Sequence, residues 1–540
     1  MVIARSKAKA ELRKLGLCAT CSGFSLVPVR PEPMASVEED VKITVQDLRT
    51  TFSSGKTRSL EWRRKQLSAL QRMLKVGRQQ LCEAMKEDLN KSCFEGYITE
   101  VNVIEHEVQE AIDHLDDWAA PDSVTNNLLN LPGRSFVYKD PLGVILIIGA
   151  WNYPVQLSIA PLVGAIAAGC CAVLKTPSDK YSGASSRAMA KLIETFLDQS
   201  AIRVVQGDRH ATQAVLSQRW DKIFYTGGCS VGKMVAESAA KHLTPTVLEL
   251  GGKSPCIVDA TADLAIAAKR ICWGAFMNAG QTCVRPDYLF VHEKVADRFH
   301  QLFVKAIETF YSTTPAKSEW FGRIINARAA SRLADMLKKD KKFIVHGGDV
   351  DTDNNFIAPT VLDYGNDRDA FSSSACMAEE IFGPIVPCCR YADDDDVVRF
   401  ITTREKPLAL YVFTTSTRTR DKFLTSTSSG GADVNDVIMH MTNSELPFGG
   451  VGNSGMGSYH GQRSFDCFTH HKAVVYKYNF LDVFARYPPY SGLKQGILNV
   501  LQTPRPRWFT RLVLCAAFYL FCSIFRSPLK ALLLFIANLL

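Results

Sequence analysis

The sequence lacks several features that would assign it to a large class of proteins. Cys18 and Cys21 form a C-x-x-C pair without a second pair, so we expect neither zinc nor another metal. There is no long basic stripe with interleaved aromatic residues, and the formal net charge is only +8, so nucleic acid is not an expected partner. No internal repeat is evident, and no N-terminal apolar stretch is long enough for a secretory signal.

Cysteine, in contrast, is plentiful. The 16 cysteines are scattered through 540 residues and mostly have apolar neighbours, as in Cys170-Cys171 and Cys388-Cys389. This distribution favours reduced thiols in the cytosol or an organelle matrix over a disulfide framework. Apolar residues make up 46% of the chain and charged residues 22%, so we expect a globular protein with a large core and more than one domain.

The N-terminal extension, residues 1–35, differs from the rest of the chain. It is basic and rich in Ala and Ser, with Glu11 and Glu32 as its only acids, which is typical of a transit segment for a chloroplast or a mitochondrion. A disordered extension is the alternative, and Met34 offers an alternative start.

The C-terminal segment, residues 491–540, is interpreted as a linker followed by an apolar membrane-associating tail. The tail has two apolar runs separated by Arg526, Pro528 and Lys530. A spanning helix needs roughly 20 apolar residues, and a single helix would bury both cations at a cost of roughly 2.5–3.5 kcal/mol each. A monotopic anchor or a hairpin broken at Pro528 is therefore at least as well supported, and a core helix is the remaining alternative.

Residues 36–250 show helical and then strand patterns. Apolar residues at helical spacing predict helices over residues 45–120, which Pro121 ends. Short apolar segments at intervals that fit crossover helices then predict five strands: Val144–Ile148, Ala172–Leu174, Ile202–Val205, Ile223–Tyr225 and Thr246–Leu250. This alternation predicts an α/β fold with a doubly wound, mainly parallel sheet.

Four polar or glycine residues, Asn152, Lys175, Gly227 and Glu249, lie at or just after the ends of predicted strands. Because ligands of such sheets bind at the carboxyl ends of the strands, these positions predict a site. Each has a structural alternative. Asn152 could cap a helix, Lys175 could be solvated, and Gly227-x-x-x-x-Gly232 could be a plain strand–helix turn or a turn that binds pyrophosphate.

A second glycine pattern, Gly450-x-Gly452-x-x-Gly455, has the spelling of a dinucleotide fingerprint. It follows Leu446-Pro447-Phe448 instead of a strand that opens a βαβ unit, so we interpret it as a flexible loop.

Cys283 is the most informative residue, because it ends Asn278-Ala279-Gly280-Gln281-Thr282-Cys283 in a second α/β region over residues 251–430. A thiol close to glycine backbone, combined with the carboxylate of Glu249, indicates covalent catalysis in which water later attacks an acyl-enzyme. The alternative for the thiol is a small buried hydrophobe. Glu380 and Phe382 could hold a ribose and pack against a nicotinamide, or be structural.

Together these motifs resemble the aldehyde dehydrogenase superfamily, in particular its class 3, fatty-aldehyde-type branch with plant-like members. The most specific pieces are Leu248–Lys253, Gly280–Cys283, Glu379–Pro384, Ser429–Gly431 and Pro447–Gly457. The resemblance implies a Rossmann-like cofactor domain within residues 36–250, an α/β catalytic domain over 251–430, a bridging and oligomerisation segment over 431–490, and a homodimer.

The resemblance also implies roles for the candidate residues. Cys283 would attack the aldehyde carbonyl, Asn152 and the Cys283 backbone N–H would stabilise the oxyanion, and a hydride would pass from the thiohemiacetal to the nicotinamide. Glu249 would activate the water that hydrolyses the thioester. The cofactor, NAD or NADP, would be held by five residues: Lys175, Gly227, Gly232, Glu380 and Phe382.

The sequence departs from the family pattern beside Lys175. Cys170 follows Gly169, and Asp179 supplies a shorter acid at the end of Lys175-Thr176-Pro177-Ser178-Asp179. These differences leave the choice between NAD and NADP open, while the chemistry at Cys283 is unaffected.

We therefore expect NAD(P)-dependent oxidation of aldehydes to acids. The tail favours medium- or long-chain substrates, because it would place the site at a membrane, with the catalytic domain facing the cytosol from the endoplasmic reticulum. The N-terminal extension would instead direct the chain to a chloroplast or mitochondrion. Two rivals are a cofactor-independent thiol esterase or thioesterase using Cys283 and Glu249, and a catalytically silent membrane scaffold.

Overall fold

The computed structural model describes residues 34–479, 482–503 and 512. The proposed transit segment and nearly all of the apolar tail lie outside the described residues. Within those residues, none of the helices combines the length and the apolar character that a bilayer-crossing segment requires.

The α-helices are, in chain order, α1 (Met34–Ser53), α2 (Leu60–Leu89), α3 (Cys93–Gly96), α4 (Asn102–Ala119), α5 (Gln156–Ala168), α6 (Asp179–Phe196), α7 (Arg209–Leu216), α8 (Cys229–Ala240), α9 (Leu264–Phe276), α10 (Ala296–Tyr311), α11 (Ala327–Lys339), α12 (Arg368–Ser372), α13 (Ala375–Ala378), α14 (Asp394–Thr402), α15 (Thr417–Ser426), α16 (Gln462–Cys467) and α17 (Gly492–Gln502). A π-turn, Tyr97–Val101, joins α3 to α4.

The strands are β1 (Asp122–Val124), β2 (Arg134–Pro141), β3 (Val144–Ile148), β4 (Cys171–Lys175), β5 (Ile202–Val205), β6 (Lys222–Thr226), β7 (Thr246–Glu249), β8 (Pro255–Val258), β9 (Tyr288–His292), β10 (Ile344–His346), β11 (Val350–Asp351), β12 (Phe356–Ile357), β13 (Thr360–Asp363), β14 (Ile385–Tyr391), β15 (Ala409–Phe413), β16 (Gly431–Val434), β17 (Gly455–Met456) and β18 (Thr469–Tyr476).

The helices predicted over residues 45–120 are present, and their apolar stripe is buried. Ser59 caps the start of α2, because its hydroxyl accepts a hydrogen bond from the backbone N–H of Trp62. Asn90 ends the helix in the left-handed conformation. The residues that gave the helical spacing are fully buried: Leu67, Leu70, Leu74, Leu81 and Met85.

The N-terminal sheet has the order β17-β7-β6-β3-β4-β5. All five predicted strands are present, and they pair in parallel. The chain runs from β3 outward to β4 and β5, then returns to the other side of β3 for β6 and β7. This reversal at β3 is the topological switch that opens a crevice at the carboxyl ends of a doubly wound sheet.

The C-terminal sheet has the order β10-β13-β14-β9-β8-β15-β16 and is parallel apart from the antiparallel edge strand β10. Its five central strands are buried over all or all but one of their residues, as expected of a parallel sheet covered by helices on both faces. The sheet extends to Gly431–Val434, just past the boundary at residue 430 that the sequence suggested.

A third sheet, β1-β2-β18, joins distant parts of the chain. β18 pairs antiparallel with β2 from Thr469 opposite Pro141 to Tyr476 opposite Arg134. Residues 122–141, which the sequence grouped with the cofactor domain, thus form a sheet with the segment predicted to bridge the domains. Local sequence patterns do not show such pairing, because register between distant strands is set by the fold.

Candidate active site

The candidate site lies where two sheet edges meet. Asn152 follows β3, and Lys175 and Glu249 end β4 and β7, all at the carboxyl edge of the N-terminal sheet. Cys283 precedes β9 and Glu380 precedes β14, both at the amino edge of the C-terminal sheet. The structure therefore brings together residues that the sequence placed on separate domains.

The loop before Cys283 has an unusual backbone. Asn278, Ala279 and Gly280 all have positive φ, at 52°, 51° and 72°. Only glycine fits at Gly280, because a Cβ atom there would collide with the carbonyl oxygen of Gly383. The backbone N–H of Asn278 donates to the Glu95 carboxylate at 2.8 Å, which holds this strained turn.

Asn152 is buried against the Cys283 loop, with 3% of its surface exposed. Its side-chain Nδ2 donates to the carbonyl oxygen of Gln281 at 3.0 Å, which leaves its second N–H available to another acceptor. The Asn152 side chain does not cap the following helix, because Val155 is the N-cap residue of α5. The amide is thus held within the site beside the thiol.

Lys91 and Glu100 complete the site, and the sequence reasoning missed both. The Lys91 ammonium and the Glu100 carboxylate lie 2.6 Å apart, and both side chains are 0% exposed. Lys91 Nζ also donates to the backbone carbonyl of Asn152 at 3.2 Å. Glu100 accepts from the backbone N–H groups of Val155 and Gln156 at 2.8 and 3.2 Å. The pair therefore fixes the backbone on both sides of Asn152.

Glu100 lies within the π-turn, and from there its carboxylate reaches the backbone that follows Asn152. Such turns often occur at functional sites. The signal in the sequence was weak: Lys91 lies just past a helix end, and Glu100 is one of several acids in a helical region.

Glu249 is a buried carboxyl group without a protein partner. It is 3% exposed, and neither carboxyl oxygen has a hydrogen bond within the described part of the chain. Burial raises the pKa of Glu249 well above its ordinary value. Burial therefore favours its neutral form, and solvation of the charged form is what makes it available as a base.

Glu380 and Phe382 precede β14, at the amino edge of the C-terminal sheet. The Glu380 carboxylate contacts Gly251 so closely that a Cβ atom there would overlap it. Burial, and secondarily Asp287, raises the pKa of Glu380 to about 8. Phe382 packs edge-on against Trp151, with ring centroids 5.4 Å apart.

Lys253 anchors the Glu380 segment, a role that the sequence did not indicate. Lys253 Nζ pairs with the buried Asp287 carboxylate and donates to the carbonyl oxygen of Glu379 at 2.9 Å. Asp287 in turn accepts from the backbone N–H of Ile381 at 3.0 Å. Glu380 is thereby held between two fixed neighbours.

Lys175 is buried, not solvated. Its ammonium donates to the carbonyl oxygens of Thr176 and Gly207 at 2.7 and 2.8 Å. Burial lowers the pKa of Lys175 to about 8, opposed by Asp208 and Asp179. The side chain therefore lies along the carboxyl edge, where β4 meets the following loop.

Gly227 and Gly232 flank the start of α8. A Cβ atom at Gly227 would meet the Tyr225 hydroxyl, and one at Gly232 would meet the Leu250 side chain. Gly228, the N-cap residue of α8, has no side-chain cap, and the space beside it is open. The first N–H groups of α8 are thus exposed at the carboxyl edge, an arrangement suited to an anion such as a pyrophosphate.

The Gly450–Gly455 segment does not form a strand–helix turn. Gly452–Ser454 is a short 3-10 turn, and Gly455–Met456 then pairs antiparallel with Leu248 and Glu249. The segment therefore lacks the setting of a dinucleotide fingerprint, as the sequence indicated, but it is not a flexible loop. It forms a short turn and a strand that cover the edge of β7 beside Glu249.

The environment of Cys283 disfavours a free thiolate. Burial, then the Glu380 and Glu249 carboxyls, raises the pKa of the thiol to about 12, whereas the backbone N–H groups of Cys283 and Val284 lower it. The same N–H groups are suited to stabilise negative charge on an atom bonded to sulfur. The site thus combines a half-buried thiol, an amide donor and a buried carboxyl group.

Comparison with known proteins agrees with this geometry. The sequence model described as "Aldehyde dehydrogenase family" matches residues 28–474. This chain belongs to the aldehyde dehydrogenase family. Like its relatives, it is an oxidoreductase of aldehydes, and most of its length is shared with them.

Relatives within the family come from plants and animals. The chain is 44% identical to an aldehyde dehydrogenase of Craterostigma plantagineum over 86% of this chain and 96% of the relative. It is also 44% identical to the rat "Aldehyde dehydrogenase, dimeric NADP-preferring", over 83% of this chain and 97% of the relative. The chain is 39% identical to the solved structure "Substrate bound state of Staphylococcus Aureus AldH", with a TM-score of 0.82. The match covers 86% of this chain and 99% of that structure's chain.

Proposed function

We propose that this aldehyde dehydrogenase oxidises medium- or long-chain aldehydes to carboxylic acids with NAD or NADP, through a thioester on Cys283. The observation that supports it best is the junction at the two sheet edges. The amide of Asn152 is bonded to the backbone of Gln281, two residues before the thiol, at 3.0 Å. A nucleophile and an oxyanion donor are thus fixed relative to each other by one hydrogen bond.

The first step is attack of the Cys283 sulfur on the aldehyde carbonyl. The oxyanion that forms lies beside the backbone N–H of Cys283 and the free N–H of Asn152. Because the resting thiol has a pKa of about 12, its proton must leave as the carbon–sulfur bond forms, and it passes to a water molecule. The two donors favour this step, since they stabilise the charge that moves from sulfur to oxygen.

The second half-reaction is hydrolysis of the thioester, which we assign to Glu249. Its carboxyl group has no protein hydrogen bond within the described residues, so it is free to bond a water molecule. A carboxyl with a raised pKa suits a general base near neutral pH, because it both accepts and returns a proton.

The residues at the junction of the two sheet edges fit a dinucleotide. The open N-terminus of α8 and the close approach at Gly227 suit a pyrophosphate, and Lys175 and Glu380 would hold the two riboses. Phe382 would pack against the nicotinamide. The bound cofactor supplies the hydride acceptor, and the rat relative is named as NADP-preferring.

The chain-length preference rests on the apolar tail in the sequence, since long aldehydes partition into membranes. A homodimer, with a membrane-associated tail on the endoplasmic reticulum, completes the proposal. β18 is an edge strand of its sheet, and most of its residues are exposed. This edge is therefore available to a second copy of the chain, which supports the homodimer. The same rat relative is named as dimeric.

The test is formation of NADH or NADPH with hexadecanal and with a short aldehyde. We expect higher kcat/KM for hexadecanal in the full chain, and loss of this preference in a chain ending near Pro504. Cys283→Ala should abolish reduction of the cofactor, and Cys467→Ser, which changes another partly buried thiol, should not. Turnover by Cys283→Ala would disprove the thioester route, and equal kcat/KM values would disprove the chain-length preference.

A further inference from the structure

A second cleft lies in the C-terminal sheet, away from Cys283. This arginine cleft has a volume of about 510 Å³ and is lined by residues that follow three adjacent strands, β13, β14 and β9. Asn366 and Arg368 follow β13, Tyr391 ends β14, and Glu293 follows β9. The cleft is therefore at the carboxyl edge of this sheet, where ligands of parallel sheets commonly bind.

The arginine cleft is separate from the catalytic site. Glu380 and Cys283 precede β14 and β9, whereas the cleft lies where the same strands end. A strand as long as Ile385–Tyr391 spans roughly 20 Å at its usual rise per residue. A ligand in the cleft would thus contact neither the thiol nor the residues assigned to the dinucleotide.

Four arginines line the cleft, and only two of them have acidic partners. Arg390 bonds Asp363 at 2.8 Å and Asp297 at 2.9 Å. Arg399 bonds Asp396 at 2.7 Å. The other two are Arg368 and Arg404, and within the described ranges neither forms an ion pair with a carboxylate.

Arg368 and Arg404 pack around the same ring. The guanidinium carbon of Arg404 is 3.4 Å from the Phe400 centroid, and that of Arg368 is 5.5 Å from it and 4.3 Å from the Phe290 centroid. Arg404 also donates to the Ser372 hydroxyl at 2.6 Å, while Nη1 of Arg368 is buried without a hydrogen-bond partner among the described residues. The pKa of Arg404 is lowered by burial and then by the Arg368 charge, opposed by Tyr288.

We propose that the arginine cleft binds a small soluble ligand of the phosphate-ester class, with its phosphate group bound by Arg368 and Arg404. A phosphate dianion matches two guanidinium groups in charge and in hydrogen-bond geometry. It also relieves the repulsion between two cations that form no ion pair with a carboxylate within the described residues. Two acids also line the cleft, Glu293 and Asp396, and Asp396 is already paired with Arg399. The remaining volume takes the organic part of the ligand.

Inorganic pyrophosphate is the probe, titrated by calorimetry into the full-length protein with NADP⁺ saturating the cofactor site. We expect binding at one site per chain in the wild type, and binding weakened by roughly tenfold or more in Arg368→Gln and Arg404→Gln. Arg418→Gln is the matched control, because it removes the same charge from an exposed position on α15 outside the cleft. It should bind as the wild type does.

Two results would overturn the proposal. One is absence of pyrophosphate binding to the wild type under these conditions. The other is unchanged affinity in both cleft variants, which would show that the two arginines only pack against Phe290 and Phe400. Aldehyde oxidation by each variant at the wild-type rate verifies its fold. If Arg404→Gln does not fold, the Arg368→Gln variant decides the question. Arg368 forms no hydrogen bond to Ser372, so its replacement does not remove the contact that Arg404 makes there.

Discussion

Replacing Glu100 by Gln tests how the Asn152 amide is positioned. The substitution keeps the size of the side chain but removes the charge that balances Lys91, 2.6 Å away and fully buried. A glutamine has one acceptor oxygen, whereas Glu100 serves both Lys91 and the N–H groups of Val155 and Gln156. In one orientation of the glutamine amide its NH₂ group faces the Lys91 ammonium, and in the other it faces the N–H groups of Val155 and Gln156. Either way two donors oppose each other.

The expected losses are large. Removing one partner of a buried ion pair costs about 3–5 kcal/mol of the free energy of unfolding, because the remaining charge is buried alone. Lys91 also bonds the Asn152 carbonyl at 3.2 Å, so its displacement moves the amide that faces the substrate oxygen. A misplacement of about 1 Å lowers kcat by about 100-fold. KM should change little, since the oxyanion forms only during reaction.

Urea unfolding followed by circular dichroism measures stability, and initial rates of cofactor reduction measure kcat and KM. Lys91→Met combined with Glu100→Gln separates the two effects. The double variant removes both buried charges, and the glutamine oxygen still accepts from the N–H groups of Val155 and Gln156. The free energy of unfolding should therefore return most of the way to the wild-type value. The Asn152 carbonyl then retains only the Asn278 amide, at 2.7 Å, so kcat should stay low.

Asp116→Asn is the matched control, because it breaks an exposed ion pair with Arg64. We expect it to cost less than about 1 kcal/mol and to leave kcat unchanged. If Glu100→Gln loses no more free energy of unfolding than this control, the Lys91–Glu100 pair does not stabilise the fold as expected. A double variant with the kcat of the wild type would show that the pair stabilises the fold without positioning Asn152.

Three further predictions concern the thiol and its neighbours. Glu380→Gln should raise the rate at which iodoacetamide alkylates Cys283 above pH 8 and leave it unchanged below, because Glu380 has a pKa of about 8 and opposes the thiolate only when ionised; equal rates at pH 9 would contradict this. Glu249→Gln should leave a burst of cofactor reduction but lower steady-state kcat by about 100-fold or more. Glu249→Gln should also be thermally more stable than the wild type, by an amount that grows from about pH 5.5 to pH 8. The reason is that folding raises the pKa of Glu249, so its ionisation favours the unfolded chain. A difference in thermal stability that does not vary with pH would argue against a raised pKa at this carboxyl group. Gly280→Ala should lower the free energy of unfolding, measured by chemical denaturation, by about 1–3 kcal/mol. The new Cβ atom would have to accept a positive φ and would collide with the Gly383 carbonyl. Wild-type stability of this variant would show that the loop adapts.

Much of the N-terminal sheet could be predicted from the sequence. Strands buried on both faces, such as Val144–Ile148, consist of uninterrupted apolar residues, and the intervals between them fit crossover helices. A polar residue at the end of such a strand, such as Lys175 or Glu249, follows directly from the same pattern. The chemistry of a thiol and a carboxylate connected Cys283 to Glu249 in the sequence, and the structure places both at one junction.

Other properties of the protein were decided by tertiary structure alone. The pairing of β2 with β18, the contact of Lys91 with the Asn152 loop and the arginine cleft each join residues far apart in the chain. The raised pKa of Glu249 likewise depends on its burial in the folded chain. Local periodicity encodes which face of an element is apolar, because burial repeats with the turn of a helix or the alternation of a strand. It carries no information on which distant polar groups will meet, since that depends on how the layers are packed.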